Sequence, residues 1–332
     1  MCGGPGAAVR REARRILIDG SLVPLSKSLR RAMIEFKHVL CPIDLSDTSI
    51  GALTYAVAFA TWYEAHLEIL HVLPGFEHAV PSQRPGASTV SARGAGRDAV
   101  EAEVRGTIES VVPTGINPAI VVEEGRAHEV IAQRARAQPA DLLVMGTHGR
   151  SGFNRLLLGS VTEKVLRAVH CPVLTVPPAA PAARATAVAF TRILCATDYS
   201  PSALQALRYA LELGRQADGR VTVLYALEYM DPEEPCEHVD FDIRKHRQHF
   251  IDHARARLHA HLEKESKTWV EIQEVVAIDR AYKAVLQHAT SAGADLIVMG
   301  AQGTGGVELM LYGSNTQHVV RAATCPVLTV HA

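Results

Sequence analysis

One block of this sequence occurs twice. Residues 144–176 and 298–330 align without a gap and are identical at 18 of 33 positions, where unrelated stretches of ordinary composition share about two. The same offset of 154 residues relates Asp44-Leu45-Ser46 to Asp198-Tyr199-Ser200. Such a long period excludes a solenoid of short repeats, so each copy must close its own core at the size of one domain. The reading is therefore an extension (1–35), a first domain (36–177), a linker (178–190) and a second domain (191–332). Pro177, Pro178 and Pro181 mark the linker, because proline feeds neither a strand ladder nor a helix interior. The extension matches neither copy. Arg10, Arg11, Arg14 and Arg15 precede only the short apolar Ile16-Leu17-Ile18. That is no signal-peptide core, and a poorly ordered arm is expected there.

Within each copy, apolar runs of strand length alternate with helical stretches. In the first, strands are expected at 37–43, 67–73, 118–123, 141–146 and 172–176. Helices are expected at 47–64, 97–112, 126–137 and 160–169. The second copy follows the same order, with a longer, charged helix near 238–266. Strands separated by helices imply right-handed parallel crossovers. The fold class expected is α/β, two tandem doubly wound parallel-sheet domains of Rossmann-like or flavodoxin-like type. In such sheets ligands bind beyond the carboxyl ends of the strands, where strand order reverses.

That end carries the chemistry. Each fourth strand runs into a spaced glycine pattern. In copy one, Gly146 and Gly149 are followed nine residues later by Gly159-Ser160; in copy two, Gly300 and Gly303 are followed by Gly313-Ser314. Small residues let backbone amides approach a ligand, and the start of the next helix favours an anion. Ser160 and Ser314 are placed to cap that helix and to donate a hydroxyl. The pattern is neither the dinucleotide fingerprint nor a P-loop, which needs a lysine after its glycine.

The G-x2-G-x9-G-S spacing, set between a Val-Met-Gly strand and a Cys-Pro-Val-Leu-Thr-Val strand, resembles the universal stress protein family, over about 37–176 and 191–331. The resemblance implies binding of ATP, or of AMP or ADP, with Mg²⁺ as an accompanying ion. It implies that Asp44 and Asp198 meet ribose, and that Val72 and Ala226 line the adenine slot. By the same resemblance Gly146, Gly149, Gly159 and Ser160 hold ribose and phosphates, as do Gly300, Gly303, Gly313 and Ser314. Copy one keeps the family's His148-Gly149-Arg150-Ser151-Gly152 run, with Arg150 near phosphate charge. Copy two has Gln302-Gly303-Thr304-Gly305-Gly306 and Tyr312 in place of Leu158, so an asymmetric pair of sites is expected. The function implied is a nucleotide-dependent stress-response or signalling module. A slow ATP hydrolase and a nucleotide-free scaffold are the alternatives. No catalytic residue is assigned, since no Walker B carboxylate or catalytic lysine is seen.

Composition narrows the partners. Lys plus Arg is 34 and Asp plus Glu is 35, for a net charge of −1. No global positive field exists to hold nucleic acid. No apolar run reaches the roughly 20 residues of a membrane span. Cys41 and Cys195 are equivalent, as are Cys171 and Cys325, and no CxxC occurs. Reduced thiols and a cytoplasmic location are expected. His246, His249 and His253 share one helical face and form a weak candidate metal set, the alternative being a solvated basic face. The resemblance also implies association of the two copies through their last strands as an internal pseudo-dimer, with a homodimer as a further option.

Overall fold

The computed structural model describes residues 15–18, 21–24, 34–74, 89–149, 158–181, 190–228, 243–265, 270–303 and 312–332. In the extension, β1 (Arg15–Ile18) and β2 (Ser21–Pro24) pair antiparallel. The chain then divides into two units, Met1–Val188 and Ala189–Ala332.

The first unit holds β3 (His38–Ile43), α1 (Asp47–Tyr63), β4 (His66–Pro74), α2 (Thr89–Val111), β5 (Ala119–Gly125), α3 (Ala127–Ala137), β6 (Leu142–Gly146), α4 (Ser160–Ala168) and β7 (Val173–Val176). Its strands lie in the order β5-β4-β3-β6-β7, all parallel. The second unit repeats the plan. It contains β8 (Arg192–Thr197), α5 (Pro201–Gln216), β9 (Arg220–Leu227), α6 (Ile243–Glu265), β10 (Glu271–Ile278), α7 (Ala281–Ser291), β11 (Leu296–Gly300), α8 (Ser314–Ala322) and β12 (Val327–Val330). The order is β10-β9-β8-β11-β12, again parallel. Order reverses between β3 and β6, and between β8 and β11, which makes the carboxyl ends of those strands the ligand crevice of such a sheet.

The central strands are buried on both faces, as a parallel sheet requires. Val39, Leu40, Cys41, Leu142, Leu143 and Val144 have no exposed surface. Phe36 packs edge-on against Phe59 and Tyr63 of α1, at centroid distances of 5.4 and 4.8 Å. The helix α2 begins eight residues before the expected start. Gly94 and Gly96 lie inside it, each at a cost to a helix of only about 1 kcal/mol.

Two features recur in both units. The carboxylate of Asp141, just before β6, accepts the amides of Lys37 (2.8 Å) and His38 (2.9 Å). Asp295, its counterpart before β11, accepts those of Thr191 (3.0 Å) and Arg192 (3.0 Å). Each clamp ties the first strand of its unit to the fourth at the amino ends. Cys41 and Cys195 are fully buried in the first strands. Burial pushes the Cys195 thiol up to about 12 from 9.0. A folded value above the unfolded one stabilises the fold fully below pH 9 and loses that contribution as pH rises toward 12. Urea unfolding of the second domain should therefore weaken above pH 9, by up to about 1.4 kcal/mol per pH unit from this group. Cys195→Ala should flatten that part of the slope.

Candidate functional site

In both units the first strand ends in an aspartate, and the chain must turn sharply to start a helix. Leu45 (φ 63°) and Tyr199 (φ 64°) make that turn in the left-handed region, at a cost of order 1–3 kcal/mol for a residue with a side chain. Ser46 follows as the cap of α1, its hydroxyl accepting from the Ser49 amide (3.3 Å). The same hydroxyl donates to Asp44 Oδ1 (2.5 Å), which also accepts the Ser46 amide (3.1 Å). One oxygen of Asp44 is thereby fixed, and this aims the other.

The other oxygen meets the glycine loop. A Cβ built on Gly149 would lie 2.6 Å from Asp44 Oδ2. Only glycine lets the loop pass this close to the carboxylate. A Cβ on Gly146 would strike Thr48, at 2.9 Å from Cγ2 and 3.1 Å from its carbonyl oxygen. The loop is also tied to the sheet: the Thr147 amide donates to the Val176 carbonyl (3.0 Å), and the Gly159 amide to the Thr147 carbonyl (2.8 Å). The Thr162 hydroxyl, one turn into α4, donates to the Gly146 carbonyl (2.9 Å).

The cap of α4 differs from expectation. Gly159, in an extended conformation, occupies the cap position, and no side chain bonds there. Ser160 is instead the first helical residue and is exposed, one place too far along to cap. Gly313 and Ser314 show the same arrangement at α8. Each helix therefore starts with first-turn amides unserved by a side-chain cap, at the positive end of its dipole. Val72 and Ala226 stand half-buried near the carboxyl ends of β4 and β9. His148 sits in the loop with Nδ1 2.9 Å from the Thr147 hydroxyl. Arg150 lies outside the described residues.

The second unit preserves the frame and alters one contact. A Cβ on Gly303 would come 2.7 Å from Asp198 Oδ2, and Thr316 donates to the Gly300 carbonyl (2.9 Å). Asp198 Oδ1 accepts the Ser200 amide (2.9 Å). The Ser200 hydroxyl, however, turns to the Gln302 carbonyl (3.2 Å), and the Ser202 hydroxyl donates to that same oxygen. This pins the loop peptide before Gly303. Tyr199 packs on Tyr225 and His261, with the Arg257 guanidinium 4.1 Å above its ring. Tyr312, in place of Leu158, is buried.

The α6 histidines form no metal cluster among the described residues. His249 and His253 are exposed, and the side chain of His246 lies outside what is described. His259, on the same helix, pairs with Glu274 (2.8 Å) and Glu263 (3.4 Å). Among the described residues no helix is long and apolar enough to cross a membrane.

Comparison with known proteins agrees with this frame. The universal stress protein family matches residues 35–177 and 189–331. Universal stress protein MJ0531 of Methanocaldococcus jannaschii is 30% identical over 154 residues, covering 46% of this chain and 88% of its own length. YxiE of Bacillus subtilis is 34% identical over 151 residues, covering 42% of this chain and 99% of its own. The crystal structure of a universal stress protein from Archaeoglobus fulgidus DSM 4304 superposes with a TM-score of 0.62. It covers 90% of this chain and 98% of that one at 23% identity, a likeness of fold. Matched twice across most of its length, the chain belongs to the universal stress protein family and carries the domain in tandem.

Proposed function

We propose that the chain binds ATP or a closely related adenine nucleotide and acts as a nucleotide-dependent stress-response module. The observation that carries this reading is the approach of Gly149 to Asp44 at the topological switch point, with the uncapped start of α4 next in the chain. In the proposed complex, Asp44 Oδ2 accepts from the ribose hydroxyls. The amides around Gly149 and at the start of α4 take the phosphates, and Val72 flanks the base. Mg²⁺, where present, rides on the phosphates. Asp44 is a single carboxylate with one oxygen already engaged by Ser46, too sparse a donor set for a dedicated magnesium site.

The two sites are proposed to differ. Turning the Gln302 peptide toward a ligand breaks its hydrogen bonds from Ser200 and Ser202, whereas the Ser46 hydroxyl of the first domain bonds Asp44. The second domain also lacks counterparts of His148 and Arg150. Titration calorimetry of the full chain with ATP, ADP, AMP and cAMP tests this. One tight site and a second, weaker site are expected for ATP. No binding at millimolar nucleotide, and none released on denaturing the purified protein, would leave the scaffold reading in its place. We also place the protein in the cytoplasm, supported by the free thiols of Cys41, Cys171, Cys195 and Cys325. Association of the two domains through their last strands, as an internal pseudo-dimer, is proposed from the family resemblance alone.

A further inference from the structure

At the amino ends of β3 and β4, about 20 Å along the strands from Asp44, three metal-capable side chains converge. His38 and His66 are register partners, and Glu68 lies two residues further on the same face of β4. One donor atom from each lies within 4.8 Å of the other two. The surroundings are those of a ligand set. His38 Nδ1 lies 3.3 Å from the Pro139 carbonyl oxygen. A carbonyl can only accept, so Nδ1 carries the hydrogen, and in the neutral ring Nε2 presents a lone pair. That Nε2 is buried, has no hydrogen-bond partner and faces Glu68 Oε2 at 3.7 Å. Oε2 already accepts from Arg134 Nη2 at 3.1 Å, so the lone pair of His38 Nε2 is the group that a cation beside Glu68 would satisfy. A proton would serve, but His66 supplies a third donor.

We propose that His38 Nε2, His66 and Glu68 bind a divalent ion of the zinc class, with water completing a tetrahedral set. Two imidazoles and a carboxylate suit that class. Glu68 is oriented as ligating carboxylates usually are, by outer hydrogen bonds: Arg134 Nε donates to its Oε1 at 2.7 Å and Arg134 Nη2 to its Oε2 at 3.1 Å. Arg134 also reaches Glu123 (3.3 Å), so one guanidinium faces two carboxylates and an excess of negative charge remains for the ion. Bonds of about 2.0–2.2 Å require the three donors to draw in by about an ångström, a shift open to the exposed His66. The site is independent of the nucleotide reading.

Titrating the chelator-treated full chain with Zn²⁺, and with Co²⁺ as a spectroscopic probe, tests it. One saturable ion with the visible absorption of tetrahedral cobalt is expected. His66→Ala and His66→Gln should each weaken it by more than the roughly 10–100-fold that loss of an outer-shell partner costs. The His249→Ala/His253→Ala double variant should retain it. Failure of the native chain to bind, or full retention of the ion in both His66 variants, overturns the proposal.

Discussion

Gly149→Asp is expected to abolish the proposed nucleotide binding in the first domain, and Gly303→Asp to leave it intact. The new Cβ would stand 2.6 Å from Asp44 Oδ2, so Asp44 must swing away from its place beside Ser46. The added carboxylate then sits where the amides are proposed to meet phosphate. Steric displacement and charge repulsion act together, and a loss of at least about 100-fold, or about 2.7 kcal/mol, is expected. Gly149→Ala carries only the steric part and should cost less. Calorimetry on both variants, with circular dichroism to verify folding, separates these outcomes. Unchanged ATP affinity in Gly149→Asp would remove the glycine loop from the site.

The largest effect on stability is expected at Arg134. Glu68, 1% exposed, lies in the central region of the sheet, and its carboxylate takes the Arg134 guanidinium at 2.7 and 3.1 Å. The Glu68 hydrogen bonds hold the guanidinium above its ordinary value, so it stays charged. Arg134→Ala strands a buried carboxylate, which typically costs about 3–5 kcal/mol. Replacing both partners, as Glu68→Leu with Arg134→Met, removes the stranded charge and should recover most of that loss. Urea unfolding followed by Trp62 fluorescence in a Trp269→Phe background reports the first domain alone. A loss below about 1 kcal/mol in Arg134→Ala would mean that Glu68 is relieved by another group, with His38 the nearest.

These residues also mark how far the sequence could be read. The glycine loop, Asp44 and Asp198 were visible because they recur at a fixed offset and their spacing has a mechanism. The alternation of strands and helices followed from apolar runs and their lengths. What escaped depends on pairing between segments distant in the chain. Glu68 sits inside the otherwise strand-like run Leu67–Leu73, and nothing local names Arg134, 66 residues on, as its partner. Asp141 and Asp295 look like ordinary turn residues until the sheet brings them to the first strands. His38 and His66 become neighbours only through the β3–β4 register. The left-handed turns at Leu45 and Tyr199 were hidden for a different reason, since neither residue type favours that conformation. The caps at Gly159 and Gly313 were misplaced by one residue, because serine is the stronger local signal.

The separation of Asp44 from the Gly146–Gly159 loop by about a hundred residues has a consequence for synthesis. A nascent chain emerging from the ribosome carries the carboxylate long before the loop that completes the crevice. The first domain is whole only when β7 has followed α4 out of the exit tunnel, and the second only when β12 has followed α8. Any partner that reads the finished crevice thus also reads that its domain has been made to the last strand.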